Sequence, residues 1–372
     1  MNRKNLSMNH YPLDAYRQLF PQYQQSDNRS LLPEDNRNHY CTEPNFFEWW
    51  YFDMAFSDGS WCVAVLHSAL YCLGDHKPTV DLRYYPAEGA PVVATGRFSR
   101  NDCEVACDHF RVRIGESMAF AKNGGYRLHV KQGALEAEFS FAPLIEGVKL
   151  GSGHLFADSS RRTYFNWVVP VPLAKVKGSL RVNGDIHMVE GVGYHDHNWG
   201  NIYLRNAFQS WIWGRVWGEK EALVFGELIA SKEMTRVTPL FFGSNGKVCS
   251  VPEGFRLRTE GSIEAPRIGT SGFQQLFLEA EGASNISLSL SLQKPMETGQ
   301  IAALRSWLVP WRRLVEPVFY LSQQIPLLGR VIGTLVGRGF YSRSPAYGTL
   351  HRNNETIEVQ GLVEKMDLKP DR

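Results

Sequence analysis

At 372 residues the chain is long enough for two domains with separate cores, and 43% hydrophobic with 21% charged residues excludes wholesale disorder. A formal net charge of +2 is too small to mark a nucleic-acid partner. The six cysteines (Cys41, Cys62, Cys72, Cys103, Cys107, Cys249) form no CxxC pair, and the polar N-terminus lacks a positive-then-apolar signal pattern, so a reduced cytoplasmic protein is expected.

Residues 1–40 are rich in Asn, Gln, Asp and Arg, with Pro12, Pro21 and Pro33, and read as an extension that wraps the surface or frays. The run Glu48-Trp-Trp-Tyr-Phe-Asp53 then leads into Asp58-Gly59 and a second aromatic and aliphatic run from Trp61. Asp-Gly between two such runs predicts a β-hairpin. Further strands are predicted over 80–85, 92–98, 110–114, 126–130 and 135–141, with no helical periods between them. Regular short strands of this kind point to an all-β sandwich or barrel.

The next stretch, Gly191-Val-Gly-Tyr-His-Asp-His-Asn-Trp-Gly200, concentrates polar and aromatic chemistry in ten residues. In an extended strand His195, His197 and Trp199 share one face, and Tyr194, Asp196 and Asn198 the other. The stretch reads either as a pocket wall or as a hydrogen-bonded corner pinning two domains. His195-x-His197 also suits a shared cation, but no third ligand follows at a recognisable spacing and no metal is assigned. Neither a serine-hydrolase elbow nor a phosphate or dinucleotide loop is present.

A second hairpin, Trp211-Ile-Trp-Gly-Arg-Val-Trp217 followed by Ala222-Leu-Val-Phe-Gly-Glu-Leu228, echoes the first. Trp211, Trp213, Arg215 and Trp217 face one way, and a turn centred on Glu219 and Lys220 is expected to pair Trp213 with Glu227 and Arg215 with Phe225. Glu227 would then be a carboxyl group among indoles, its pKa raised by desolvation toward that of a general acid. A plain Arg215–Glu227 pair is the structural alternative. Indole faces can stabilise a carbocation, or they can simply pack. Glu48, on one face with Trp50 and Phe52, is a lesser candidate.

Strands continue to Thr356–Glu364, interrupted over 301–340. That segment carries tryptophans, aliphatics and Arg305, Arg312, Arg313, Arg330 and Arg338, with Pro310, Pro317 and Pro326 expected to limit helices to short pieces. It reads as a lid, as helices packed on a sheet, or as a peripheral membrane contact. The expected organisation is an extension over 1–40, one β domain over 41–200 and a second over 201–372 with a helical insertion.

Glu48-Trp-Trp-Tyr-Phe-Asp53 and Gly193-Tyr-His-Asp-His-Asn-Trp-Gly200 together resemble the carotenoid hydratase (hydroxyneurosporene synthase) and AttH-like family, from about residue 43 onward. The resemblance implies two lipocalin-like antiparallel β-barrel domains side by side and an apolar pocket for a polyene. Relatives include hydratases that protonate an isoprenoid double bond and cyclases that close natural-product rings. It further implies that His197 and Trp199 work with an acid on a later strand, at Glu227 where the family has aspartate. Phe225 replaces an aromatic hydroxyl two residues earlier, which favours a related reaction on another substrate.

The leading expectation is a cofactor-independent cyclase or isomerase of an unsaturated hydrophobic natural product or isoprenoid. His197, Glu227 and Trp199 are its catalytic candidates. Trp211, Trp213, Arg215, Phe225, Trp50, Glu48, His195 and Asn198 are its substrate-binding candidates. A hydratase and a non-catalytic binder of a hydrophobic ligand are the alternatives.

Overall fold

The computed structural model describes residues 31–39, 45–70, 76–157, 164–202, 204, 208–230, 236–250, 254–264, 271–280, 285–302, 308, 311–322, 325–336 and 338–368. Most of the 1–40 extension, with Cys41 and Cys72, lies outside them.

The first sheet begins with β1 (Phe47–Phe56), β2 (Trp61–Leu70), β3 (Lys77–Tyr85) and β4 (Val92–Arg97). Short strands follow: β5 (Cys103–Val105), β6 (Arg111–Ile114), β7 (Ser117–Lys122) and β8 (Gly125–Gln132). Then come β9 (Leu135–Pro143), β10 (Val148–Ala157), β11 (Tyr164–Val182) and β12 (Asp185–Gly200). In space the order is β4-β3-β2-β1-β12-β11-β9-β8-β7-β6-β5, with β10 on β11. The β1–β2 hairpin turns at Asp58-Gly59 as expected, because Gly59 takes a φ of +85° that side chains disfavour.

The second sheet starts with β13 (Phe208–Trp217), β14 (Glu221–Ala230), β15 (Arg236–Val237), β16 (Leu240–Ser244) and β17 (Lys247–Ser250). β18 (Phe255–Glu260) precedes a separate two-strand ribbon of β19 (Ile263–Glu264) and β20 (Ser271–Gly272). β21 (Gln275–Ala280), β22 (Ile286–Leu292) and β23 (Glu297–Ala302) return to the sheet. Two helices, α1 (Arg312–Ser322) and α2 (Pro326–Val336), come next, then β24 (Arg338–Arg352) and β25 (Glu355–Asp367). The order is β17-β16-β14-β13-β25-β24-β22-β21-β18, with β15 on β14 and β23 on β24. Both sheets are antiparallel and curl into half-barrels, the all-β lipocalin-like architecture expected.

Each half-barrel has its own apolar interior, around Phe52 and Phe139 in the first and Phe225 and Phe255 in the second. A third core joins the sheets and mixes Tyr51, Trp167 and Tyr194 with Trp217, Leu228 and Leu362. Residues 31–39 pack on the first sheet, where Asn36 is buried and its carbonyl accepts from Trp50 Nε1 at 3.2 Å. Pro326 opens α2, as its fixed φ favours, whereas Pro317 lies within α1 without ending it.

Charge pins the sheets together. Arg215 of β13 donates through Nε to Asp53 of β1 at 2.7 and 3.0 Å, with a further contact from the guanidinium NH2 group. Both side chains are buried, and the guanidinium lies 4.2 Å from the Trp217 ring centroid. A second chain of contacts runs from Arg83 and Tyr85 through Glu297 to Arg343 and Glu364.

The second hairpin turns where expected, but its strands pair one residue away from the expected register. Its turn is centred between Glu219 and Lys220, with the Gly218 amide donating to the Glu221 carbonyl at 3.1 Å. Trp213 therefore faces Gly226, Arg215 faces Val224, and Glu227 faces Ile212. A one-residue shift sends a side chain to the opposite face of a strand. Glu227 consequently joins Leu223 and Phe225 on the side away from Trp213 and Arg215.

Removing one member of a buried ion pair leaves an uncompensated charge, so Arg215→Met is expected to cost about 3–5 kcal/mol of stability. The double variant Asp53→Leu with Arg215→Met is expected to lose far less. Urea denaturation of the three proteins checks this. A loss for Arg215→Met no larger than that of a surface substitution, about 0.5 kcal/mol, would show that the pair does not pin the sheets.

Candidate active site

The cavity of interest lies between the two sheets and is open to solvent, with about 650 Å³ of empty space when the open solvent at its mouth is counted. Its walls are mostly aromatic: Trp49, Tyr51, Phe165 and Trp167 from the first sheet, Trp211 and Trp213 from the second. Three polar side chains, Asp196, Asn198 and Glu364, reach into them. An apolar pocket with a few converging polar groups is the usual form of a small-molecule site.

Alternation along β1 and β12 builds this wall. Trp49 and Tyr51 project to the cavity, while Glu48, Trp50 and Phe52 project into the first half-barrel. On β12, Asp196 and Asn198 face the cavity, while His195, His197 and Trp199 point inward with the even residues of β1.

Asp196 is the acid in the wall. Its Oδ2 accepts from the Tyr194 hydroxyl at 2.9 Å and from Trp167 Nε1 at 3.0 Å, and its Oδ1 from Asn198 Nδ2 at 2.8 Å. Burial pushes its pKa up to about 8, against the Tyr194 and Trp167 hydrogen bonds, and the charges of Glu364 and Asp53 add to the rise. At neutral pH the carboxyl is thus mainly protonated. Oδ1 accepts a single protein hydrogen bond and keeps a position for the proton. Glu364 is differently placed: it accepts from Arg343 Nε at 2.7 Å and from the Tyr51 hydroxyl at 3.3 Å. The cavity therefore holds one carboxyl that keeps its proton and one held against a guanidinium.

The histidine face is buried on the inner side of the first half-barrel. Glu48 is fully buried; it accepts from the His39 amide at 2.6 Å and from the Ser68 hydroxyl, with His197 Nε2 at 3.3 Å. Desolvation raises Glu48 to about 7 and lowers His39 to about 4. The same cause lowers His195 to about 3 and His197 well below its usual value, so these imidazoles are neutral. His195 Nδ1 lies 3.0 Å from the Tyr51 carbonyl, which can only accept, so Nδ1 carries the proton. Its Nε2 accepts from Asn36 at 3.1 Å, which leaves no lone pair for a cation shared with His197. Elsewhere, His129, Glu136 and Glu138 bring ligand atoms within 4.8 Å, but Arg181 already stands 3.4 Å from Glu136.

Of the residues singled out in the sequence, Trp211, Trp213 and Asn198 line the cavity. His195, His197, Trp199, Trp50 and Glu48 lie on that buried inner side, where Trp50 stacks on His197 at 4.6 Å and Trp199 on His39 at 3.9 Å. Arg215 is bound to Asp53, and Phe225 packs in the second half-barrel. Glu227 is not part of the cavity lining, because the hairpin register turns it the other way. Sequence reasoning passed over Asp196, although it set that residue on a face with Tyr194 and Asn198. Glu364 carried no signal beyond closing a strand.

The sequence model for carotenoid hydratase CrtC matches residues 155–263. The likeness covers the acid-bearing strand. A hydroxyneurosporene dehydrogenase of Chlorobaculum tepidum is 27% identical over 185 residues, spanning 45% of this chain and only 44% of that protein's length. Among solved structures, an AttH-like protein of Nitrosomonas europaea superposes with a TM-score of 0.63 at 14% identity, covering 92% of this chain and 98% of its own. CghA in complex with Sch210972 gives 0.61 at 12% identity, over 93% and 98% of the two chains. Kievitone hydratase from Nectria haematococca gives 0.58 at 13% identity, over 93% and 95%. At such identities the shared property is the fold, two half-barrels side by side.

Infrared difference spectra against pH are expected to show two buried carboxyls losing their protons, near pH 7 for Glu48 and near pH 8 for Asp196. Asp196→Asn should delete the upper transition alone. Because the folded pKa lies above the unfolded 3.8, the stability contributed by the Asp196 proton is complete below about pH 4 and lost as pH rises through about 8. Denaturation midpoints of the wild type relative to Asp196→Asn check that slope. A pH-independent difference would place the Asp196 pKa at its ordinary value.

Proposed function

We propose that this chain is a hydratase of an unsaturated hydrophobic isoprenoid or natural product, with Asp196 as the proton donor. The observation that supports the reading best is a carboxyl whose pKa is raised to about 8 in an indole-lined cavity. A general acid works best when its pKa lies near the working pH. The Asp196 proton adds to one carbon of a substrate double bond while the π bond opens, leaving a cation on the other carbon. The indoles of Trp211, Trp213, Trp49 and Trp167 in the cavity wall would stabilise that cation. A water molecule then bonds to it and passes a proton to the Glu364 carboxylate, or back to Asp196. The reaction consumes one water and requires no oxidant. The carotenoid hydratase match over β12 and the fold shared with kievitone hydratase agree with this class.

The second reading, a cyclase or isomerase, rests on the same aromatic walls. There the cation loses a proton or is captured by another double bond before water arrives, or the walls hold the substrate folded for closure without protonation. CghA, solved with Sch210972, shares the fold.

Incubation of an acyclic isoprenoid polyene in heavy-oxygen water separates the two. Hydration predicts a product heavier by one labelled water, whereas a product of unchanged mass supports the second reading. Asp196→Asn is expected to lower kcat by about 10²–10⁴-fold with little change in KM. The rate should fall as pH rises through about 8, since the active form is the protonated one. Glu227→Gln should stay near wild type. Loss of activity in Glu227→Gln with Asp196→Asn unaffected would move the acid to Glu227.

A further inference from the structure

Strands β23 and β24 leave the second sheet at the pair Ala302 and Arg338, and the α1–α2 hairpin is inserted there. Its inner side is an apolar cluster of its own: Phe319 and Val336 with Leu308, backed by Val315 and Ile332. The outer side is apolar as well. On α1, Leu314, Val318 and Leu321 recur at helical spacing and are 51–68% exposed, next to Trp311 at 60%. On α2, Leu328, Val331 and Leu335 do the same at 42–59%. Among the described residues this hairpin, with Ile325 at its turn, supplies eight of the thirteen exposed large hydrophobic side chains. A helix packed on a globular core turns its apolar stripe inward and its polar face to water. Here an apolar stripe faces outward on both helices, and a contiguous patch of this kind marks an interaction surface.

Charge selects the partner. Residues 301–340 contain five arginines and one glutamate, whereas the whole chain is close to neutral at +2. A cationic segment of amphipathic helices with a tryptophan just before the first is suited to the boundary between anionic headgroups and acyl chains. No helix among the described residues is long and apolar enough to cross a membrane, so the contact is with its surface.

The location ties this face to the cavity. Arg343, which grips the cavity carboxyl Glu364, lies on β24 five residues beyond the hairpin's exit at Arg338, about 17 Å along a strand. The cavity residues Trp211 and Trp213 lie opposite Met366 and Glu364 at this end of the second sheet. We propose that the outer face of the α1–α2 hairpin docks on an anionic bilayer surface, so that a lipid-dissolved substrate enters the cavity from the membrane. The delivery step rests on the reading of the cavity as a site for a hydrophobic substrate; the docking itself does not.

Co-sedimentation of the full chain with phosphatidylcholine vesicles, with and without phosphatidylglycerol, tests it. Wild type is expected to pellet with the phosphatidylglycerol vesicles and to be released by high salt. The variant Leu321→Glu with Val331→Glu, substituted at solvent-facing positions and checked for an unchanged circular dichroism spectrum, should bind about tenfold more weakly or worse. Val318→Glu with Leu335→Glu provides an independent second variant. Wild type that stays in solution with both vesicle types, or variants that pellet as wild type does, would overturn the proposal. So would light scattering that shows a dimer broken by the same substitutions without any lipid binding, since the face would then belong to a second copy. Asp196→Asn should pellet like wild type, so failure of the catalytic reading and failure of docking are separately visible.

Discussion

The half of β12 from Gly193 to Gly200 is buried on both faces, and the two-residue period of a strand divides its side chains between two compartments. One compartment, inside the first half-barrel, receives His195, His197 and Trp199. The other, between the sheets, receives Asp196 and Asn198. β1 runs beside β12 with Trp50 opposite His197 and Tyr51 opposite Asp196, so its own alternation follows the same division. The glycine at the end of the motif is required by packing: a Cβ on Gly200 would collide with the Tyr164 carbonyl oxygen of the adjoining strand. Close spacing between β1, β12 and β11 thus fixes which residues meet which compartment.

Each compartment contains a buried carboxyl, and their surroundings give them different uses. Glu48 is fully buried and held by the His39 amide, Ser68 and His197, which suits a polar pin within the half-barrel. Asp196 is held by Tyr194, Trp167 and Asn198, yet stands in the wall of the open cavity between the sheets. Three donors to a carboxylate in water would lower its pKa. Here desolvation outweighs them, because the walls around the group are rings and not water. The donors orient the carboxyl, and the rings keep its proton on.

Much of the fold was legible because hairpin signals are local. Asp58-Gly59 and the alternating runs around it specify β1 and β2 by turn chemistry and period alone. The two faces of the Tyr194–Trp199 stretch were also legible, since alternation needs no knowledge of neighbours. Which face meets a cavity was not, because that depends on how a second sheet, distant in sequence, covers the first. The imidazoles drew attention as versatile chemical groups, yet burial leaves them neutral and hydrogen-bonded. Glu227 illustrates a different limit. Its face turned on the hairpin register, and pairing with Ile212 in place of Trp213 was enough to set it on the side away from the indoles. Glu364 enters the cavity through a strand pairing more than 150 residues away from β12 in the chain, with Arg343 as its partner.

If the proposed protonation takes place, the fate of the resulting cation would depend on the second sheet as well as on the acid. Indole rings stabilise positive charge but accept no proton under these conditions, so termination falls to the few oxygen-bearing groups in reach. Besides Asp196 and Asn198, those are Glu364 with its Arg343 partner and the Tyr51 hydroxyl, held where the two sheets meet. Their positions depend on the same contacts that join the sheets, through Asp53–Arg215 on one side and Arg83–Glu297–Arg343 on the other. A tight interface excludes bulk water and leaves the cation to an ordered water or an internal double bond. A looser one admits solvent and favours addition. Under the proposed reading, the balance between hydration and ring closure would follow how firmly the two half-barrels are clamped.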